Sequence, residues 1–216
     1  MARKVWGVDS ARKVDQVLLS CVLQNFGTPK FWGRYLTDIS NVSRGLTKME
    51  ISFLRSHHIK VLPIYNVFDQ AIGREKAVTA VRNAVFHARR LGIPKETAIF
   101  ANVESFFSVD SEWLSGWIET MVSAGYRPGF YHDPVSGSFP AAYCEAVKKN
   151  PQTAVQSILW SAEPQTGVST EKKAPKFQPA LPNCKANTWI WQYGREADAC
   201  SIDTNLADER VLKYLY

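Results

Sequence analysis

The sequence predicts a small (β/α)8-type barrel, with residues 1–216 forming one domain. Three observations carry this expectation. Short apolar runs rich in β-branched and aromatic residues alternate with amphipathic runs along the chain, the pattern of parallel strands joined by helices. Polar residues recur at the ends of several strand-like runs, namely Asp9, Tyr65 with Asn66, Asn102 with Glu104, and Tyr131 with Asp133, as the carboxyl rim of a barrel requires. The first strand–helix turn, "GVDSARKVDQ", has neither a GxGxxG fingerprint nor a phosphate-loop lysine, which argues against an open nucleotide-binding sheet.

Strands are expected at 4–10, 30–36, 59–66, 98–105, 127–133, 157–163 and 188–193. The helix over 14–27 is amphipathic. The next opens with Thr47 and carries Glu50 three residues on, a capping box. The helix over 74–92 buries positions 77, 78, 81, 84, 85, 88 and 91 and stops at Gly92. The helix after Asp110 repeats that period, with Trp113 and Trp117 on the apolar face, and stops at Gly125. The proline-rich stretch 164–187 has no helical period and reads as loop with at most one short strand near 177–181.

The chain has 216 residues, 45% of them hydrophobic and 21% charged, enough for one sizeable core. No run approaches the length of a membrane span. The N-terminal "MARKVWGVDSARKV" reads as a first strand rather than a signal peptide. A net charge of +6 suits solubility or attraction to a polyanion such as a phosphate-bearing cell wall. Zinc-finger spacing, an RNP-like motif and a basic helix are all missing, so nucleic acid is not an expected partner.

The four cysteines lack CxxC spacing, so no metal site is expected from them. Cys21 and Cys144 read as core residues, and a Cys184–Cys200 disulfide is the pairing considered. His57, His58, His87 and His132 form no ligand set, and His132 in "YHDP" reads as structural. Trp6, Trp113 and Trp117 read as core, and Trp189 and Trp191 as packing between barrel and helices.

Side chains two apart on a strand share a face, so Asn102 and Glu104 point together toward the barrel mouth, where Asp9 also ends its strand. A carboxyl there, partly desolvated among Tyr65, Tyr131 and Trp160, is expected to titrate above its usual range. Such a group can donate a proton to a glycosidic oxygen. The competing reading pairs Glu104 with Arg34 as a structural ion pair.

"GVDS" after the first strand, "NVE" on the fourth and "WIWQY…IDTN" near the end together resemble lysozyme-type muramidases of glycoside hydrolase family 25. "FWGRYL…LTKMEISFLRSHHIKVLPIYN" is similar to the glycoside-hydrolase-like barrels of class DUF1906 in bacterial proteins. The resemblance spans essentially the whole chain. It implies Glu104 as general acid, Asp9 as the first-strand aspartate and Asp203 as the aspartate near the end, without cofactor or metal. Asn102 stands where the muramidases carry aspartate; an amide can orient an acetamido group but supplies no charge. Arg34, Tyr65, Asn66, Tyr131, Trp160 and Gln192 complete the expected sugar-binding set, with Trp160 as a platform. The expected activity is hydrolysis of a peptidoglycan-type cell-wall glycan by a monomer, with extracellular action compatible with the chain. The alternative is a glycan-binding module that has lost its second acid.

Overall fold

A computed structural model describes residues 3–216. Its strands are Lys4–Asp9 (β1), Phe31–Tyr35 (β2), Lys60–Tyr65 (β3), Ala98–Val103 (β4), Arg127–His132 (β5), Ile158–Ala162 (β6), Thr188–Gly194 (β7) and Asp203–Asp208 (β8). They close in chain order into one barrel. The pairs from β1 to β7 are parallel, whereas β8 runs antiparallel to both β7 and β1. The expected barrel is therefore closed by a reversed strand that periodicity did not reveal. No α-helix lies between β6 and β7. The proline-rich stretch there contains two short 3-10 turns, Pro164–Thr166 and Glu171–Lys173, and no strand near 177–181.

The helices are Gln16–Asn25 (α1), Lys48–Ser56 (α2), Arg74–Leu91 (α3), Ser111–Ser123 (α4), Phe139–Lys149 (α5) and Gln152–Gln156 (α6). Asp15, Thr47 and Asp110 accept otherwise unpaired N–H groups at the starts of α1, α2 and α4, the usual reason these residues begin helices. Gly92 ends α3 at φ 78°, in the left-handed region that glycine enters without a Cβ penalty. Among the described residues no helix is long and apolar enough to cross a membrane.

Strand alternation divides the core in two. Phe31, Leu62, Ile64, Phe100, Tyr131 and Trp160 fill the barrel interior. Trp6, Trp32, Tyr65, Trp113, Trp117 and Trp191 lie between the barrel and its outer layer. Trp6, Trp113, Trp117 and Trp191 thus pack as expected, whereas Trp189 packs against the interior cluster instead, stacked on Tyr214. Gly33 makes the interior possible near the mouth: a Cβ there would lie 2.6 Å from the Asp9 Cβ and 3.2 Å from the Trp160 ring.

The cysteine expectation is corrected. The disulfides are Cys21–Cys200 and Cys144–Cys184, so Cys200 and Cys184 bond to helices rather than to each other. Cys21 on α1 and Cys144 on α5 sit at the margins of their apolar faces, only partly buried, where the irregular C-terminal segments fold back over the helices. The capping box is also only half formed. Thr47 accepts the Glu50 N–H at 3.2 Å, but the Glu50 carboxylate turns inward to Arg34 Nε at 2.6 Å and the Val14 N–H at 2.9 Å.

Candidate active site

The mouth is built from residues at the carboxyl ends of parallel strands and the start of the reversed one. Asp9 is the last residue of β1, and Asp203, the first of β8, is its direct partner in the antiparallel ladder. Two carboxyl groups facing each other across a ladder repel, so their surroundings decide whether they are tolerated. Asp9 Oδ2 accepts from Asn205 Nδ2 at 2.7 Å and from Gln192 Nε2 at 3.1 Å. Gln192 Nε2 also reaches Asp203 Oδ2 at 3.1 Å, and the Glu196 N–H donates to Asp203 Oδ1 at 2.7 Å. Behind them the Trp160 indole N–H donates to Asn205 Oδ1 at 2.9 Å.

Asn102, the fifth residue of β4, and Glu104, just past it, share a face as period-2 geometry requires. The Asn102 amide donates to Glu104 Oε1 at 2.9 Å. Tyr35, Tyr131 and Arg195 connect this pair electrostatically to the other acids. Tyr35 lies in the field of Asp9, Glu104 and Asp203, Tyr131 in that of Glu104 and Asp9, and Arg195 in that of Glu104 and Asp203. Asp9, Arg12, Glu196, Asp198, Ser201 and Asp203 are among the residues lining a cleft of about 430 Å³.

Several expected sugar contacts lie elsewhere. Arg34 projects from β2 to the outer layer, where it is fully buried and pairs with Glu50, not Glu104. It also donates to the Ser10 and Arg44 carbonyls, both at 2.8 Å. The alternation that turns Arg34 outward brings its neighbour Tyr35 to the mouth. Tyr65 likewise faces out, stacked toward Phe68 and Trp117. Asn66 braces the loop after β2 by donating to Ser43 Oγ at 3.3 Å. Trp160 is inward but only 1% exposed, so it forms the floor beneath the acids rather than a platform. Tyr131 and Gln192 do reach the mouth, joined at 2.8 Å through the tyrosine hydroxyl and Gln192 Oε1.

Tyr35, Arg195 and Asn205 are mouth residues that sequence reasoning missed. The rule that aligned Asn102 with Glu104 would also have aligned Asn205 with Asp203 and Tyr35 with Gly33. Arg195 lies in a loop and had no periodic signal. Among the described residues no three His, Cys, Asp or Glu side chains cluster as metal ligands.

Burial, followed by the charge of Asp203, raises Asp9 from 3.8 to about 7, against the lowering hydrogen bonds from Asn205 and Gln192. Burial raises Asp203 as well. The native protein therefore holds protons that the unfolded chain has lost, and this contribution to stability falls as pH rises from about 4 to about 7. His132 acts in the opposite sense. It is fully buried against Phe139, and burial lowers it from 6.5 to about 4, so its contribution rises with pH across that window. Asp9→Asn removes the falling component. Its stability gain over wild type is expected to grow from near zero at pH 4 to roughly 2–4 kcal/mol at pH 8, measured by urea denaturation. An equal gain at both pH values would contradict a raised Asp9.

The model of the Rv2525c-like, glycoside hydrolase-like domain matches residues 28–207. An uncharacterized protein of B. stearothermophilus, solved by crystallography at 1.07 Å, is 57% identical with a TM-score of 0.97, covering 98% of this chain and 100% of that one. The fold is shared at low identity by the spore cortex lytic enzyme SleM of Clostridium perfringens (14% identity, TM-score 0.63, covering 94% of this chain and 67% of that one). It is also shared by the lysozyme of Streptomyces coelicolor (11%, 0.58, 97% and 96%). No curated protein matches the chain. The chain belongs to the Rv2525c-like glycoside hydrolase-like family.

Proposed function

We propose that this domain cleaves glycosidic bonds in a peptidoglycan-type cell-wall glycan, with Glu104 as general acid. The observation that carries the reading is the gathering of Asp9, Asn102, Glu104 and Asp203 at one barrel mouth. Family membership and the lysozyme-like fold support it. Glu104 protonates the leaving glycosidic oxygen, and the substrate's own acetamido oxygen attacks the anomeric carbon. Asn102 Oδ1 orients that group by accepting its N–H, since the Asn102 amide already donates to Glu104. Water then opens the cyclic intermediate and returns a proton to Glu104. The Asp9–Asp203 pair stabilises the cationic centre with the one negative charge it keeps, and Tyr131 and Gln192 hold the sugar. The protein acts as a monomer on a polysaccharide. Two disulfides suit an oxidising compartment outside the cytoplasm.

A second reading rests on Asn102 itself. With an amide in place of a carboxylate, the site supplies less negative charge to a developing cation, as in a module that binds glycan without cutting it. Digestion of purified peptidoglycan, with reducing ends counted, separates the two. Glu104→Gln is expected to lose about 10²-fold or more of the rate, and Asn102→Asp to gain about tenfold. Binding without turnover by wild type and Asn102→Asp would establish the module. Failure of both to bind peptidoglycan or chitooligosaccharides would end the glycan reading.

A further inference from the structure

The acid pair at the mouth is held by two amides whose orientations are forced. A carboxamide has one accepting and one donating end. Asn205 accepts the Trp160 indole N–H, so its NH2 must face Asp9. Gln192 Oε1 accepts two donors, the Tyr131 hydroxyl at 2.8 Å and Arg195 Nε at 2.9 Å. Its NH2 therefore lies between Asp9 and Asp203, 3.1 Å from an oxygen of each. A flipped Gln192 would set its NH2 against those two donors and its oxygen against two carboxyl groups.

Arg195 is the piece of this arrangement without an obvious purpose. It is exposed at the rim and makes no ion pair among the described residues. Its fork is nevertheless divided with care: Nε goes to Gln192 and Nη2 to the Tyr131 hydroxyl. The loop that carries it is anchored twice. The Glu196 N–H is tied to Asp203, and Cys200 is bonded to Cys21.

We infer that Arg195 is a positioning residue whose guanidinium fork locks the Gln192 amide between Asp9 and Asp203, so that the two carboxyl groups work as one proton-sharing unit in the Glu104 site. The role in turnover rests on the glycan reading above; the locking of Gln192 does not. The charged and titratable groups facing Asp9 are Asp203 from β8, Arg195 from the loop before it, Tyr35 from β2 and Tyr131 from β5, and the two tyrosines also lie in the field of Glu104.

Carboxyl-carbon NMR of the full chain labelled at aspartate tests this directly, with the Asp9 signal assigned by its disappearance in Asp9→Asn. In Arg195→Met the Asp9 midpoint is expected to move up by about one pH unit. Arg195→Lys keeps the charge but not the fork, so it should leave the midpoint displaced. Turnover of peptidoglycan, or retention on it where no cutting occurs, should fall about tenfold in both variants. A purely structural arginine would lower the urea midpoint without moving the Asp9 titration, and that result overturns the proposal. So does full rescue by lysine, which would reduce the role to charge alone. If wild type neither cuts nor binds glycan while Arg195→Met and Arg195→Lys both displace the midpoint, the glycan reading fails and the positioning role stands.

Discussion

Replacing Cys21 and Cys200 with serine is expected to lower the free energy of unfolding by as much as about 5 kcal/mol. The bond joins residues 179 apart, and closing so long a loop removes much of the freedom of the unfolded chain. The Cys144–Cys184 bond, with a separation of 40, is expected to contribute about 4 kcal/mol by the same argument. Urea denaturation of the oxidised wild type beside each serine pair measures both. A midpoint unchanged in the Cys21/Cys200 variant would mean that the bond restrains nothing the unfolded chain samples. Under the proposed function, the same variant should weaken glycan turnover beyond its effect on stability, because the freed loop carries Arg195 and the N–H that holds Asp203.

Glu50→Ala is expected to cost about 3–5 kcal/mol, because it leaves the Arg34 guanidinium charged and buried without its partner. Both side chains of the pair are 0% exposed. The damage should spread to the mouth, since Arg34 also holds the Ser10 and Arg44 carbonyls and Glu50 holds the Val14 N–H. A fall in Tm of roughly 10 °C follows for a chain of this size. Arg34→Met combined with Glu50→Leu replaces the charges by apolar groups of similar bulk and should recover part of the loss. Equal or greater loss in the double variant, measured in a thermodynamic cycle, would show that the ion pair is not the source of the effect.

The fold was legible wherever a period ran long enough to be counted. The strand–helix alternation through residue 133 reappears in the structure with ends moved by one or two residues, and the glycine stop of α3 stands where the pattern placed it. β8 was missed because "DTNLAD", although as long as β1, bears polar residues on both faces. Its inward Asp203 and Asn205 serve the mouth, and its Asp208 faces the Lys4 ammonium at 2.9 Å. The disulfides were illegible because their pairing depends on how the irregular stretch drapes over α1 and α5. Within the site, the convergence of Asp9, Asn102, Glu104 and Asp203 followed from strand ends and resemblance. Arg34 and Tyr65 were misplaced by proximity in sequence: residues at a strand end face the mouth only in alternate positions.

The reversed last strand has a consequence for biosynthesis. β1 forms ladders with only β2 and β8, so its second edge stays open until residues near 208 have left the ribosome. Asp9 meets Asp203, Gln192 and Asn205 only then. A nascent chain can assemble the helices and the seven parallel strands first, but it cannot assemble the acid cluster until translation of the barrel is almost finished. Such dependence on contacts distant in sequence slows folding. The Cys21–Cys200 bond belongs to the same late stage, since residue 200 is made only a few residues before β8.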